Sequence, residues 1–358
     1  MLRGQAIDAT PGTPTTRGRF GRVMRQLFAG VVALGVVGIA GSFGGGIAAA
    51  DDTTYNVGGA KVPGVPWYDY TVRAGAHYFP AAKREVIDYP AGMMQGRLLH
   101  DVLPGLDTDS VGDSVAAGTD NLDAAIHRSP RNVIGLSEGA LVADAEQGRL
   151  ADDPSAPPPD QLSFGIFGSP VARHAFGQSF LTTMFPTGTF VPMIDYTIPP
   201  PRESQYDTKV VVAAYDGVAD FPDRWDNPLA ILNAIMGVAI VHTPAAFGNP
   251  DTLPPQNIRT TTNSKGATTT TYLVPAKHLP LILPLQYVGV PEDVLDRLDA
   301  TLKPVVDAGY SRDDDPSTAP VEVDSKTGMD PNVLLGRPDK VTVGDIVSQI
   351  IDRLAPPR

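Results

Sequence analysis

A serine hydroxyl attacks a carbonyl only when a base takes its proton and a third group holds the base in place. Gly135-Leu136-Ser137-Glu138-Gly139 has the G-x-S-x-G spacing that can raise such a serine. The apolar run Asn132-Val133-Ile134 enters it, and a helix-compatible run through Leu150 leaves it. Strand, sharp turn and helix together make a nucleophile elbow. The flanking glycines suit a strained turn whose helix passes close to the strand. The Glu138 N–H, at the start of that helix, is then aimed at a developing oxyanion. The competing reading of the same five residues is a Gly-Ser turn that caps a helix.

An acid and a base should follow the nucleophile along the chain. Three histidines do: His174, His242 and His278. His174 comes soon after the serine, inside an apolar insertion. His242 ends an apolar helical run, where a histidine suits the negative helix C-terminus and reads as structural. His278 follows the last strong strand run by a short loop, so it is the expected base. The expected acid is Asp216, at the end of the strand-like run Lys209–Tyr215, where a parallel sheet presents functional side chains. Asp220, four residues on, is the alternative. A second oxyanion donor is expected after the early strand-like run Arg84–Tyr89; Pro90 has no N–H, which leaves Ala91 and Gly92. No metal-ligand spacing and no nucleotide-binding glycine motif occurs, so no cofactor is expected.

These residues need a scaffold. Short β-branched runs at Arg84–Tyr89, Arg131–Leu136, Leu162–Gly168, Lys209–Tyr215 and Thr268–Val274 suit strands buried on both faces. Helical periodicity falls between them, at Val111–Ile126, Glu138–Leu150, Asn227–Val241 and Val290–Gly309. Alternation of this kind predicts an α/β architecture, a mostly parallel sheet with helices on both faces. Val171–Pro201 is an apolar insertion, to be read equally as core packing or as a lid over an acyl pocket. Ser311–Gly336 reads as a polar linker and Val341–Leu354 as a peripheral helix, so residues 311–358 are set apart from a domain spanning 51–310.

Composition narrows the partners. The 358 residues are 42% hydrophobic and 19% charged, which excludes a disordered chain. A net charge of −12 argues against nucleic acid, and the absence of cysteine removes disulfides and thiol chemistry. Arg17, Arg19, Arg22 and Arg25 precede an apolar run, Leu27–Phe43, then Ala48-Ala49-Ala50. That is the layout of an export signal, cleaved or kept as an anchor. Removing residues 1–50 takes away five arginines and one aspartate, so a cleaved chain carries −16.

Longer segments carry a family likeness. The stretches LADDPSAPPPDQLSFGIFGSP, YDGVADFPDRWDNPLAILNAIMGVAIVH, YLVPAKHLPLILPL and GYSRDD resemble the mycobacterial PE-PPE domain, a serine α/β-hydrolase module, over roughly Ala82 to Asp315. The resemblance implies an α/β-hydrolase fold with Ser137, an aspartate of the YDGVADFP block and His278 of the HLPL block as its triad. The YDGVADFP block also resembles a stretch of fungal lipases whose acid is the first aspartate, which favours Asp216. Two departures stand out: a signal-like N-terminus replaces the PE or PPE segment, and the elbow reads GLSEG where many members have GYSQS. The first is similar to exported members that build acyltrehalose lipids. It implies acyl transfer between trehalose esters at an envelope lipid or membrane surface. Simple ester hydrolysis is the alternative, and a lipid-binding module without catalysis is the second.

Overall fold

A computed structural model describes residues 53–61, 66–92 and 109–323 of the chain. The export-like N-terminus and the Val341–Leu354 stretch lie outside the described residues. Among the described residues, no helix is long and apolar enough to cross a membrane.

In chain order the first elements are β1 (Thr53–Val57), α1 (Trp67–Arg73), β2 (Lys83–Val86), α2 (Val111–Arg128), β3 (Asn132–Leu136), α3 (Glu138–Leu150) and β4 (Phe164–Phe167). The insertion follows, with β5 (Arg173–His174), β6 (Gly177–Gln178), α4 (Phe180–Met184), β7 (Phe190–Val191) and β8 (Tyr196–Thr197). The chain then returns to the sheet through β9 (Thr208–Ala213), α5 (Pro228–Ile240), β10 (Ile258–Thr262), β11 (Thr268–Val274), α6 (Leu283–Tyr287) and α7 (Glu292–Asp307).

Seven strands form one sheet in the order β10-β11-β9-β4-β3-β1-β2. Every neighbouring pair is parallel except β10 with β11, an antiparallel hairpin at one edge. Both faces are covered, as the continuous apolar runs of β3, β4 and β9 require. This is the α/β-hydrolase arrangement. The order reverses between β1 and β3, because β2 lies outside β1 whereas β4 lies beyond β3. Such a switch point opens a crevice at the carboxyl ends of the strands.

Two elements of the sheet were not expected. β1 reads TTYNV, and its polar Thr54 and Asn56 hide it from a hydrophobic pattern. Both are buried, because Thr54 donates to Asn56 at 2.9 Å and the Asn56 amide donates to the carbonyls of Thr71 and Ala74 on and after α1. Satisfied polar groups of this kind let a polar strand occupy the sheet interior. β10 is a partly exposed edge strand rich in threonine.

The insertion is at least in part core. Val171, Phe176, Phe180, Leu181, Val191 and Ile198 join the main apolar cluster. Residues 311–323, expected to begin a linker, are also docked. Val321 and Val323 are buried, Ala276 donates to the Val323 carbonyl at 3.1 Å, and Asn257 bonds both to and from Glu322. Their many charges disguise a segment held by a few buried side chains and by backbone pairing.

Candidate active site

Ser137 stands between β3 and α3 at φ 56°, ψ −115°, a conformation that L-residues keep only where the surroundings enforce it. Its N–H donates to the Phe167 carbonyl of β4 at 2.8 Å. The glycines on either side serve close approach: a Cβ on Gly135 would lie 2.3 Å from the Gly139 carbonyl oxygen, and one on Gly139 would lie 2.2 Å from that of Val57. The helix can therefore begin hard against β1 and β3, with the serine side chain above the sheet.

His242 meets that serine. Its Nε2 lies 2.9 Å from Ser137 Oγ, and its Nδ1 lies 2.7 Å from Oδ2 of Asp216. The imidazole is buried and the carboxylate wholly so. Two local features bring them together. After β9 the chain turns through Tyr215 at φ 64°, and the following Val218 N–H fixes Asp216 Oδ1 at 2.9 Å. α5 then lies directly on this turn, because a Cβ on Gly237 would come within 1.9 Å of the Tyr215 carbonyl oxygen and one on Gly217 within 2.2 Å of that of Ala234. Two residues past α5, the His242 ring rests over Gly168 at the end of β4, where a Cβ would sit 2.9 Å from its Cε1. Hydroxyl, imidazole and carboxylate stand in the order of a relay that can deprotonate a serine.

Ser137 also faces the loop after β1. A Cβ on Gly59 would lie 3.0 Å from Ser137 Cβ and 3.6 Å from Oγ. Three successive carbonyls of the loop are turned to aromatic donors: Gly58 accepts from Tyr89 Oη at 2.6 Å, Gly59 from Trp67 Nε1 at 2.6 Å and Ala60 from Tyr70 Oη at 3.5 Å. A family profile described as the PE-PPE domain matches residues 80–311. The chain belongs to the PE-PPE domain family.

Longer likenesses extend beyond the PE-PPE domain itself. The chain is 49% identical over 337 residues to diacyltrehalose acyltransferase Chp2 of Mycobacterium tuberculosis, covering 86% of this chain and 94% of that one. It is 42% identical over 312 residues to SL1278 acyltransferase Chp1 of the same organism, covering 84% and 74% respectively. Among solved structures, the catalytic core domain of an acetyl xylan esterase from Trichoderma reesei aligns with 47% of this chain and 85% of its own, at 17% identity and a TM-score of 0.29.

The site corrects the expected base of this PE-PPE chain. His278 does not meet Ser137; its Nδ1 is bonded to Asp299 on α7 and its Nε2 lies 3.1 Å from Glu292. The reason is lateral distance. β11, which leads to His278, is three strand spacings from β3, about 14 Å away, whereas the segment after α5 passes over the end of β4. Serine, acid and base occur in the expected chain order with either histidine, so order could not choose between them. The signal in the sequence was Gly237, a glycine inside a mostly apolar helix, which marks a close approach to the Asp216 turn.

Asp220, the alternative acid, is turned the other way. Its Oδ2 takes Arg312 Nη1 and the Tyr215 N–H, each at 2.7 Å. Of the two expected second oxyanion donors, Gly92 is corrected. The Gly92 N–H is already given to Ser114 Oγ at 2.9 Å, and buried Ala91 uses its carbonyl to accept from the Lys61 N–H at 2.8 Å. Once β1 is missed, the loop after β2 is taken for the loop beside the serine. Gly59, after β1, is the residue that stands beside Ser137.

Glu138 adds an unusual feature beside the nucleophile. Its side chain is buried, and neither carboxyl oxygen reaches a hydrogen-bond partner among the described residues. Burial raises its pKa well above the usual carboxylate range, opposed only by the Lys61 charge. A cation could be shared, among the described residues, by His278, Glu292 and Asp296. Lys277 already lies 2.8 Å from Glu292 there.

Proposed function

We propose that this chain is a serine acyltransferase that moves fatty acyl chains between acylated trehalose glycolipids. The observation that carries the reading is the Ser137–His242–Asp216 relay in a chain that aligns with nearly all of a diacyltrehalose acyltransferase. In the first half-reaction His242 Nε2 takes the Ser137 proton as Oγ bonds to the carbonyl carbon of a lipid ester. Asp216 holds Nδ1–H and stabilises the imidazolium that forms. The Glu138 N–H and an N–H of the Gly59–Ala60 segment receive the charge on the carbonyl oxygen. Collapse breaks the ester C–O bond, and His242 returns the proton to the departing sugar oxygen. In the second half-reaction a hydroxyl of another trehalose ester gives its proton to His242 and attacks the acyl-serine; the acyl C–Oγ bond breaks and His242 returns the proton to Ser137 Oγ, so one ester bond is broken for each one formed.

Export is part of the proposal. A basic stretch, an apolar run and an Ala-Ala-Ala site precede the folded domain, and an envelope lipid surface is where such esters reside. The deciding experiment incubates the purified protein with a diacylated trehalose as sole substrate. Paired appearance of more and less acylated trehalose supports transfer. Release of free fatty acid alone would replace the reading with an esterase, and absence of any turnover or of fluorophosphonate labelling would replace it with a lipid-binding module.

A further inference from the structure

The GYSRDD stretch has no part in the relay, yet Arg312 within it is buried to 6% exposure at the back of the Asp216 turn. Its Cζ lies 3.9 Å from the Tyr310 ring centroid and 5.1 Å from that of Tyr215. Nη1 donates to Asp220 Oδ2, the same atom that accepts the Tyr215 N–H. Asp220 in turn gives its own N–H to the Asp216 carbonyl at 2.7 Å. Tyr215 is held at φ 64°, a conformation that a bulky side chain leaves readily unless fixed. Its hydroxyl is tied to Asp307 at 2.6 Å, and its ring packs edge-on against Tyr310.

We infer that Arg312 and Asp220 are positioning residues that hold the strained Tyr215–Asp216 turn so that Asp216 reaches His242. The argument rests on the proposed role of Asp216. A buried ion pair is a poor source of stability, and apolar residues of similar volume often replace one without loss. This pair is not even complete, since Asp220 Oδ1 and Arg312 Nη2 reach no partner among the described residues. What the pair supplies that apolar side chains cannot is a charged acceptor for the N–H of a left-handed residue one position before the acid. The cation fixes that acceptor by ion pairing and by its place between two tyrosine rings.

The test compares Arg312→Met, Arg312→Lys, the double variant Asp220→Leu with Arg312→Met, and Asp216→Asn, using p-nitrophenyl butyrate turnover, thermal melting and the low-field proton resonance of His242 Nδ1–H. Arg312→Met should lower kcat ten- to a hundredfold with KM within twofold, and lose or move the His242 resonance. The double variant should recover the melting temperature and stay as slow as the single one, and Arg312→Lys should recover part of kcat. A double variant with wild-type kcat and resonance overturns the inference, because the pair would then serve stability alone. If the double variant does not fold, Arg312→Met decides: a wild-type resonance and kcat together with a lowered melting temperature has the same overturning force. A wild-type kcat in Asp216→Asn removes the assigned acid, and the inference with it. A slow Asp216→Asn beside a fast Arg312→Met removes the positioning role alone.

Discussion

His242 and His278 are both buried histidines bonded to a buried aspartate, and their second nitrogens separate them. One faces a serine hydroxyl and the other a glutamate at the mouth of a helix. Replacing His242 by alanine should lower kcat/KM by roughly 10⁴-fold and abolish fluorophosphonate labelling of Ser137. Replacing His278 by alanine should retain fluorophosphonate labelling of Ser137 but destabilise the fold by about 3–5 kcal/mol, because Asp299 is left buried with one partner fewer. Parallel kinetics and denaturant melts on the two variants check both statements, and reversed phenotypes would restore His278 as the base. Ser137 and Asp216, the two members of the proposed relay that were expected, were legible in the chain because local pattern marks them, a strand–turn–helix signature for one and a strand end for the other. The histidine was not, because its position depends on which strand end its segment crosses. Glu138 shows a similar limit: its N–H can be proposed as a donor from the chain alone, but only the fold shows the burial that raises the pKa of its carboxyl. The folded chain then binds one more proton than the unfolded chain once pH exceeds the ordinary carboxylate range. Linkage therefore makes this residue's contribution to stability fall as pH rises until its own raised pKa is passed. Glu138→Gln should remove that slope, so its melting temperature should gain on wild type between pH 5 and pH 8; an unchanged difference across that range would mean that the carboxyl is ionised in the fold.

At the scale of elements, the site depends on how closely α5 and α3 can approach the sheet. Gly237→Ala places a methyl against the Tyr215 carbonyl, inside contact distance, and so pushes the His242 segment away from Asp216. A helix interior would gain up to about 1 kcal/mol from this change where space allowed it. The expectation here is the opposite: lower stability and a kcat at least tenfold down, read by melting and ester turnover. α3 carries a second buried acid, Glu146, whose pKa is pushed up to about 8, first by burial and then by the charge of Asp123. Its sign follows that of Glu138, with stability declining from the ordinary carboxylate range up to about pH 8. Glu146→Gln should raise stability at pH 8 by on the order of 1–3 kcal/mol and have little effect at pH 4; equal shifts at both pH values would exclude titration as the cause. The helices α2, α3, α5 and α7 were legible within two residues or so at each end, because apolar periodicity and caps determine them. β1 was not, since Thr54 and Asn56 are satisfied only by neighbours that the tertiary fold supplies. Missing that one strand moved the expected oxyanion loop to Ala91–Gly92, away from the Gly59–Ala60 segment proposed for it.

At the scale of the whole molecule, the sheet places the serine loop and the β1 loop at a single switch point, and the chain beyond α7 secures the opposite side of the site. Composition alone set residues 311–323 apart from the domain, since stretches rich in Asp, Ser and Pro usually stay solvated. Three buried side chains reverse that reading. Val321 and Val323 close the apolar cluster, and Arg312 enters the Asp216 turn. The functional domain therefore extends at least to Val323, and two truncations separate this from the earlier boundary. A chain ending at Val323 should melt within a few degrees of the longer protein and label at Ser137 at a comparable rate. A chain ending at Tyr310 loses about 1.5–3 kcal/mol for each valine and leaves the buried Asp220 carboxylate without its cation, worth about 3–5 kcal/mol more. Against the 5–15 kcal/mol that holds a typical domain folded, that loss should give a poorly soluble product with no fluorophosphonate labelling. Equal melting and labelling of the two truncations would return residues 311–323 to the status of a tail, and would remove Arg312 from the architecture of the site at the same time.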